Sequence, residues 1–149
     1  MINENLKLSG QLNIVLRDKD GNIKEERIEK NLVVATGLTF IASRMKDATA
    51  TAMTHMGLGS GTTTAAAGQT DLVTLLGSRE VLDSTTASSN TIVYVSSFEA
   101  GDATGAVTEA GIFNAASSGT MLCRVKFNVV NKAADDTMAV TWTITLSAT

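Results

Sequence analysis

The sequence predicts a mainly β protein, an antiparallel β-sandwich with an N-terminal β-hairpin and one short helix. Three observations point there. Residues 137–147 set Met138, Val140, Trp142, Ile144 and Leu146 at every second position with Thr, Ala or Ser between them, and a period of two sends alternate side chains to opposite faces of a strand. The same short, Thr-rich, half-apolar texture recurs upstream, punctuated by turn residues about every ten positions. Helical spacing of apolar residues is clearest in one stretch, before the first Gly-rich segment.

Taken in order, residues 9–18 alternate Leu12, Ile14 and Leu16, and residues 23–30 return as IKEERIEK after Lys19-Asp20-Gly21-Asn22. Asp20-Gly21 suits a tight turn because glycine takes positive φ without strain. Glu25, Glu26, Arg27, Glu29 and Lys30 make the returning strand a charged edge, which discourages pairing with another chain. Across 36–47, Leu38, Ile41, Ala42 and Met45 recur at helical spacing, Thr36 suits the N-cap, and Arg44 and Lys46 suit the negative end of the helix dipole. Their apolar stripe is expected to face the core. Residues 54–61 read as a short strand entering a Gly-rich turn, 62–69 as a loop, and 70–77 as a helical turn stopped by Gly77. Strands are expected at 79–83, 90–98, 107–115 and 121–130, with 84–89, 101–105, 117–119 and 131–136 as links. The chain therefore reads as a single domain over 1–149, with arm and hairpin at 1–30, helix at 36–47 and sandwich strands over 54–149. Jelly-roll and immunoglobulin-like connections both fit this pattern.

A chain of 149 residues can bury a substantial core. Aromatics make up 4% of it, so aliphatic residues and Met must fill that core, and association would add buried area. The net charge of −3 and pI near 5.1 argue against nucleic acid or an anionic membrane as partner, since both attract clustered Lys and Arg. Residues 1–47 hold eight of the twelve basic and seven of the fifteen acidic side chains. The rest is rich in Ser, Thr, Ala and Gly, a surface that tolerates close subunit contact without stranding charge. The lone cysteine, Cys123, excludes an intrachain disulfide and a Cys-rich zinc site. It is expected to be a small core residue. No signal-like segment or run of ~20 apolar residues occurs, so synthesis and use in a reducing cytosol, or exit by a route other than secretion, are expected.

Few residues suggest chemistry. Gly57-x-Gly59-x-Gly61 lacks the Gly-Lys-Ser/Thr that a phosphate-binding loop requires, and turn geometry is the expected reason for these glycines. His55 is the only histidine and there is no Gly-x-Ser-x-Gly elbow; its ring is expected to donate to a backbone carbonyl. Glu25/Glu26 and Asp135/Asp136 are neighbours along the chain, so a strand would turn them to opposite faces, and Asp135-Asp136 reads as a turn. Glu109 lies among apolar strand residues and suits an ion pair with Arg79 or Arg124, or a contact between subunits. No cofactor, metal site or enzymatic activity is expected.

The order of Thr54-His55-Met56-Gly57-Leu58-Gly59-Ser60-Gly61, Gln69-Thr70-Asp71-Leu72, Arg79-Glu80, Thr108-Glu109-Ala110-Gly111-Ile112-Phe113-Asn114 and Met121-Leu122-Cys123-Arg124 resembles the pattern of bacteriophage virion proteins. It is most similar to the tail-collar and tail-fibre N-terminal family, in which a helix, a T-H-M-x-x-G-x-G stretch and an E-x-G-[LI]-F strand follow in this order. Fibre proteins continue into a long shaft, whereas a short free-standing version resembles the decoration or cement proteins of phage heads. The resemblance implies a non-enzymatic virion protein, assembled in the host bacterial cytoplasm, that binds the major capsid protein or other virion proteins and itself as a homotrimer or homodimer. The leading expectation is a decoration subunit stabilising the capsid lattice. The alternatives are a tail, collar or baseplate piece anchoring a fibre, and a carbohydrate- or receptor-binding module. Candidate contact residues are Met1, Ile2, Leu6 and Leu8 in the arm 1–8, together with Glu109 and Arg124.

Overall fold

The computed structural model describes residues 5–148. Two five-stranded antiparallel sheets face each other, and one helix lies at an end of the sandwich. The first sheet contains β1 (Leu6–Arg17), β2 (Ile23–Lys30), β6 (Ser84–Ser88), β7 (Thr91–Phe98) and β10 (Thr137–Ala148), in the order β2-β1-β10-β7-β6. The second contains β3 (Leu32–Val33), β4 (His55–Gly59), β5 (Glu80–Val81), β8 (Gly105–Phe113) and β9 (Met121–Lys132), in the order β3-β9-β8-β4-β5.

The alternation in 137–147 sets the centre of the first sheet. β10 pairs with β1 along its whole length, bringing Leu12 opposite Trp142, Ile14 opposite Val140 and Leu16 opposite Met138. On its other side Trp142 meets Tyr94 and Met138 meets Phe98. These side chains meet Met56, Leu58, Ala110, Ile112, Cys123 and Val125 from the second sheet. Burying a large apolar side chain contributes about 1.5–3 kcal/mol, so this interface is the main driving force for folding. Trp142 is fully buried, and its indole Nε1 donates to Asn31 Oδ1 at 2.8 Å. The Asn31 amide occupies the space over Gly10 that any side chain there would fill.

The hairpin 9–30 forms as the sequence predicts, with Gly21 at φ 83. Asp18 anchors the turn, its Oδ1 accepting from the Asp20 and Asn22 N–H groups at 2.9 Å. Leu6 and Leu8 belong to β1, paired with Ala148 and Leu146, where the sequence suggested a free arm. Leu8 is half-buried against the core and Leu6 is exposed.

Helix α1 (Ala35–Lys46) lies within one residue of expectation but presents a different face. Leu38, Ala42 and Met45 are exposed, and Ile41 alone of the four packs on the core, joined by Phe40. The docking point explains the rotation. Gly37 sits so close to the Leu122 carbonyl that no Cβ fits, and the Thr36 hydroxyl donates to Met121 O at 2.9 Å instead of capping the helix. Val34 takes the N-cap position without a side-chain bond. Three other expectations differ. Residues 70–77 make no helical turn, and Gly77 takes φ 65 in an irregular segment. The expected strand 79–83 shrinks to Glu80–Val81, and the expected link 84–89 contains β6, because Asp83 N–H bonds to Val95 O at 2.7 Å and starts pairing with β7.

The turn from β9 to β10 is tied to the hairpin by charge. Asp136 is 3% exposed, and its Oδ2 accepts from Lys24 Nζ at 2.7 Å and from the Ala133 N–H at 2.8 Å. The bonded Lys24 ammonium, then the Ala133 N–H, hold its carboxyl below the usual 3.8 although burial opposes them. A carboxyl with a depressed folded-state pKa stabilises the fold above its unfolded pKa, and the contribution is lost as pH falls through the folded value. Asp136→Asn should therefore lower thermal stability near neutral pH and flatten the acid limb below about pH 4, measured as Tm against pH.

Candidate functional site

β8 is buried on both faces from Val107 to Phe113. One face meets the sandwich core, and the other is covered by the segment 60–79, which has little regular structure. Long segments of this kind inside a compact domain are uncommon, and their backbone polar groups need partners. Here a single carboxylate supplies three of them. Glu109 is fully buried; its Oε1 accepts from the Gly61 N–H at 2.9 Å and the Thr74 N–H at 2.8 Å, and its Oε2 from the Val73 N–H at 3.0 Å.

Arg124, also fully buried, completes the knot from β9. Its Nε and Nη2 donate to Glu109 Oε2 at 2.9 and 2.7 Å, Nη2 also to Thr63 O at 3.0 Å, and Nη1 to Gln69 Oε1 at 2.9 Å. The Gln69 carbonyl oxygen is shared with the Ala66 N–H. The Thr108 hydroxyl donates to Gly61 O at 2.7 Å. Buried charges of this kind are tolerated when paired and hydrogen-bonded on nearly every atom.

The glycines make the space. Gly57, Gly59 and Gly111 share the covered face of the sheet, and Gly59 pairs with Glu109 while Gly57 pairs with Gly111. A Cβ on Gly59 or on Gly61 would lie 2.5 Å from Glu109 Oε1. None of Gly57, Gly59 and Gly61 has positive φ, so close approach, and not the turn geometry expected, requires Gly59 and Gly61, while Gly57 lies under the side chains of Leu72, Leu75 and Arg79. The signal was present in the sequence: glycines two apart on a strand leave one face bare, as when a backbone lies flat against it.

Arg79 braces the same segment from its far end. Its guanidinium lies 3.5 Å from the Phe113 ring centroid, Nη1 donates to Ala115 O and Ser118 O at 2.9 Å, and Nη2 reaches Asp71 Oδ1 at 3.1 Å. Of the two partners expected for Glu109, Arg124 takes the ion pair and Arg79 a separate post. Glu109 and Arg124, expected also as contacts between subunits, lie inside the chain. Met1 and Ile2 lie outside the described residues. His55 is half-exposed at the start of β4, with Nδ1 2.8 Å from the Thr54 hydroxyl and, among the described residues, no ring bond to a backbone carbonyl. Among the described residues no three His, Cys, Asp or Glu side chains group as metal ligands.

An apolar cleft of about 300 Å³ opens between α1 and the β10-β7-β6 side of the first sheet, lined by Phe40, Ile41, Met53, Ala87, Tyr94 and Ile144 among others. Burial pushes the Tyr94 hydroxyl up to about 12, so it stays protonated at physiological pH. Among the described residues, the cleft lining brings together no nucleophile and base. Compared with family models, with curated proteins and with solved structures, the chain matches none.

Glu109→Gln should destabilise the fold by about 3–5 kcal/mol, read as a shift in denaturant midpoint, because it leaves the Arg124 charge buried without its counter-ion. Gly59→Ala should act in the same direction by displacing the carboxylate. Burial raises the Cys123 thiol well above its ordinary pKa; labelling by a thiol reagent should therefore be negligible in the native protein and complete in denaturant.

Proposed function

We propose that the chain is a non-enzymatic structural subunit of a bacteriophage virion that acts by contact, as a capsid decoration or cement protein stabilising the major capsid protein lattice. One observation carries the reading. The scattered stretches that resemble phage tail-collar and tail-fibre proteins supply the two anchors of one segment: Gly59, Gly61, Gln69, Glu109 and Arg124 form the buried knot, and Asp71, Arg79 and Phe113 form the brace at its far end, although together they span more than sixty positions. The motif order in which this chain resembles such proteins is, in this chain, the order that pins one long loop flat on one sheet, and this supports the reading.

The surface is consistent with a contact role. The outer side of the first sheet carries Ser9, Gln11 and Asn13 on β1, Thr141, Thr143 and Thr145 on β10, and Thr91, Val93 and Val95 on β7, paired across the strands with little charge among them. Repeated over a lattice, modest interfaces of about 800 Å² per partner add to mechanical stability through effective concentration. The order of the motif stretches also favours the second reading, a tail, collar or baseplate piece anchoring a fibre. Trp142, Phe98, Phe113, Phe127 and Tyr94 are buried and Phe40 is half-buried beside Tyr94 in the apolar cleft, which gives little support to the exposed aromatic platform that a carbohydrate-binding module would use.

Antibody-gold labelling of intact particles, with the protein's band quantified against the major capsid protein, separates these readings. Gold over the whole head, at a copy number comparable with the capsid protein, is expected. Gold confined to the neck or tail at low copy number would overturn the decoration role in favour of the collar reading.

A further inference from the structure

We propose that β6 is a self-association surface, through which two copies of this chain pair antiparallel about a two-fold axis at Thr86 and join their first sheets into one. The inference rests on the contact-subunit reading for its purpose.

The four sheet edges are not alike. β3 and β5 are two residues long. β2 is long, but Glu25, Arg27 and Glu29 point toward the opposite sheet, where Arg27 pairs with Glu25 at 2.6 Å and donates to Asn128 O and Val129 O at 3.2 Å. Inward charges on an edge strand oppose the approach of another chain. β6, Ser84-Thr85-Thr86-Ala87-Ser88, has no charge and no proline, and all five residues are exposed. Natural proteins seldom leave such an edge open without a use for it.

The register selects a second copy as occupant. Ser89 and Asn90 form a two-residue turn between Ser88 and Thr91, with Ser89 at φ 53, so Ser88 and Thr91 are the hydrogen-bonded closing pair and the alternation continues at Thr86 and Ser84. Thr85 and Ala87 therefore turn their N–H and C=O groups toward the open edge. Antiparallel pairing centred on Thr86 sets Thr85 of one copy against Ala87 of the other, twice, and satisfies all four donors and all four acceptors. Thr86 then faces Thr86, Ser84 faces Ser88, and Asp83 faces Ser89, so no like charges are opposed. Cross-strand Thr and Ser pairs of this kind are favourable. The side chains of Thr85 and Ala87 line the mouth of the apolar cleft, which the partner strand would narrow. The strand is short, so the dimer should be weak in free solution, roughly micromolar or weaker, and gain from repetition.

Sedimentation velocity of the purified full chain over a wide concentration range tests the pairing. The wild type should pass from monomer to dimer. Thr86→Lys, whose side chain is exposed on the outer face, should weaken the dimer about tenfold or more by setting two ammonium groups side by side, and Thr86→Glu should do likewise. An equimolar mixture of the two variants should restore it, whereas Ile28→Lys on the β2 edge should leave it unchanged. A wild type that stays monomeric at millimolar concentration, a trimeric mass, a dimer indifferent to Thr86→Lys, or a mixture that stays monomeric would each overturn the pairing. None of these would bear on where gold falls on the particle, so the virion reading fails or stands separately.

Discussion

The ion pair between Glu109 and Arg124 is the constraint on which the second sheet depends. Removing two charges from water costs several kcal/mol each, and attraction between them recovers that only when the remaining lone pairs and protons are bonded too. Here the carboxylate takes three backbone N–H groups besides the guanidinium, and Arg124 reaches Thr63 O and Gln69 Oε1 besides the carboxylate. The pair is therefore better understood as the device that gives 60–79 one conformation than as a net source of stability. An apolar pair in the same place could bury as much surface, but it would leave the N–H groups of Gly61, Val73 and Thr74 without acceptors.

Several features follow from the pinned segment. With both faces of β8 covered, the second sheet acquires a small apolar layer on its outer side, where Val34, Leu72, Phe113 and Met121 pack together. Val34 also begins α1, and Met121 accepts the Thr36 hydroxyl bond. The helix and the segment 60–79 thus stand on neighbouring parts of one platform. In a chain without proline, loop order must come from contacts, and Arg79 and Arg124 supply much of it by donating to carbonyls in segments far apart in the sequence.

The parts of this fold that were legible in the sequence are those fixed by local pattern. Period-two alternation in 9–18, 90–98 and 137–147 placed β1, β7 and β10 because one face of each meets a core. Charge marked β2 as an edge before any neighbour was known. Local pattern failed where a distant group decides the structure. Residues 70–77 contain enough apolar residues for a helical turn, but the Val73 and Thr74 N–H groups are held by Glu109, some thirty-five positions away. The face of α1 was misjudged because Gly37, the least apolar-looking residue of its first turns, is the one pressed against Leu122. β6 carries no apolar alternation at all, since it lies at an edge with little core to meet. The Glu109 ion pair was foreseen from the type of residue in an apolar strand, but its bonds to the loop backbone were not, because only the bare glycine face reveals that a backbone lies there.

The knot and the open edge are mechanically connected. Arg79 is fixed by Phe113, Ala115, Ser118 and Asp71, and the chain leaves it directly into β5, which pairs with His55 and Met56 of β4. Leu82 N–H then bonds to Thr54 O, and Asp83 N–H crosses to Val95 O, where β6 begins. An edge strand with no charged residues and little buried side-chain surface has few means of holding its own position. Its register against β7 is set at one end by the Ser89-Asn90 turn and at the other by this short run from Arg79. Loosening at Arg79 would therefore reach β6 through about four residues of ordered backbone. The buried carboxylate, whose last bonded loop residue is Thr74, acts on that edge only through the longer stretch that Arg79 itself braces, which makes the Arg79 post the condition for a defined outer edge.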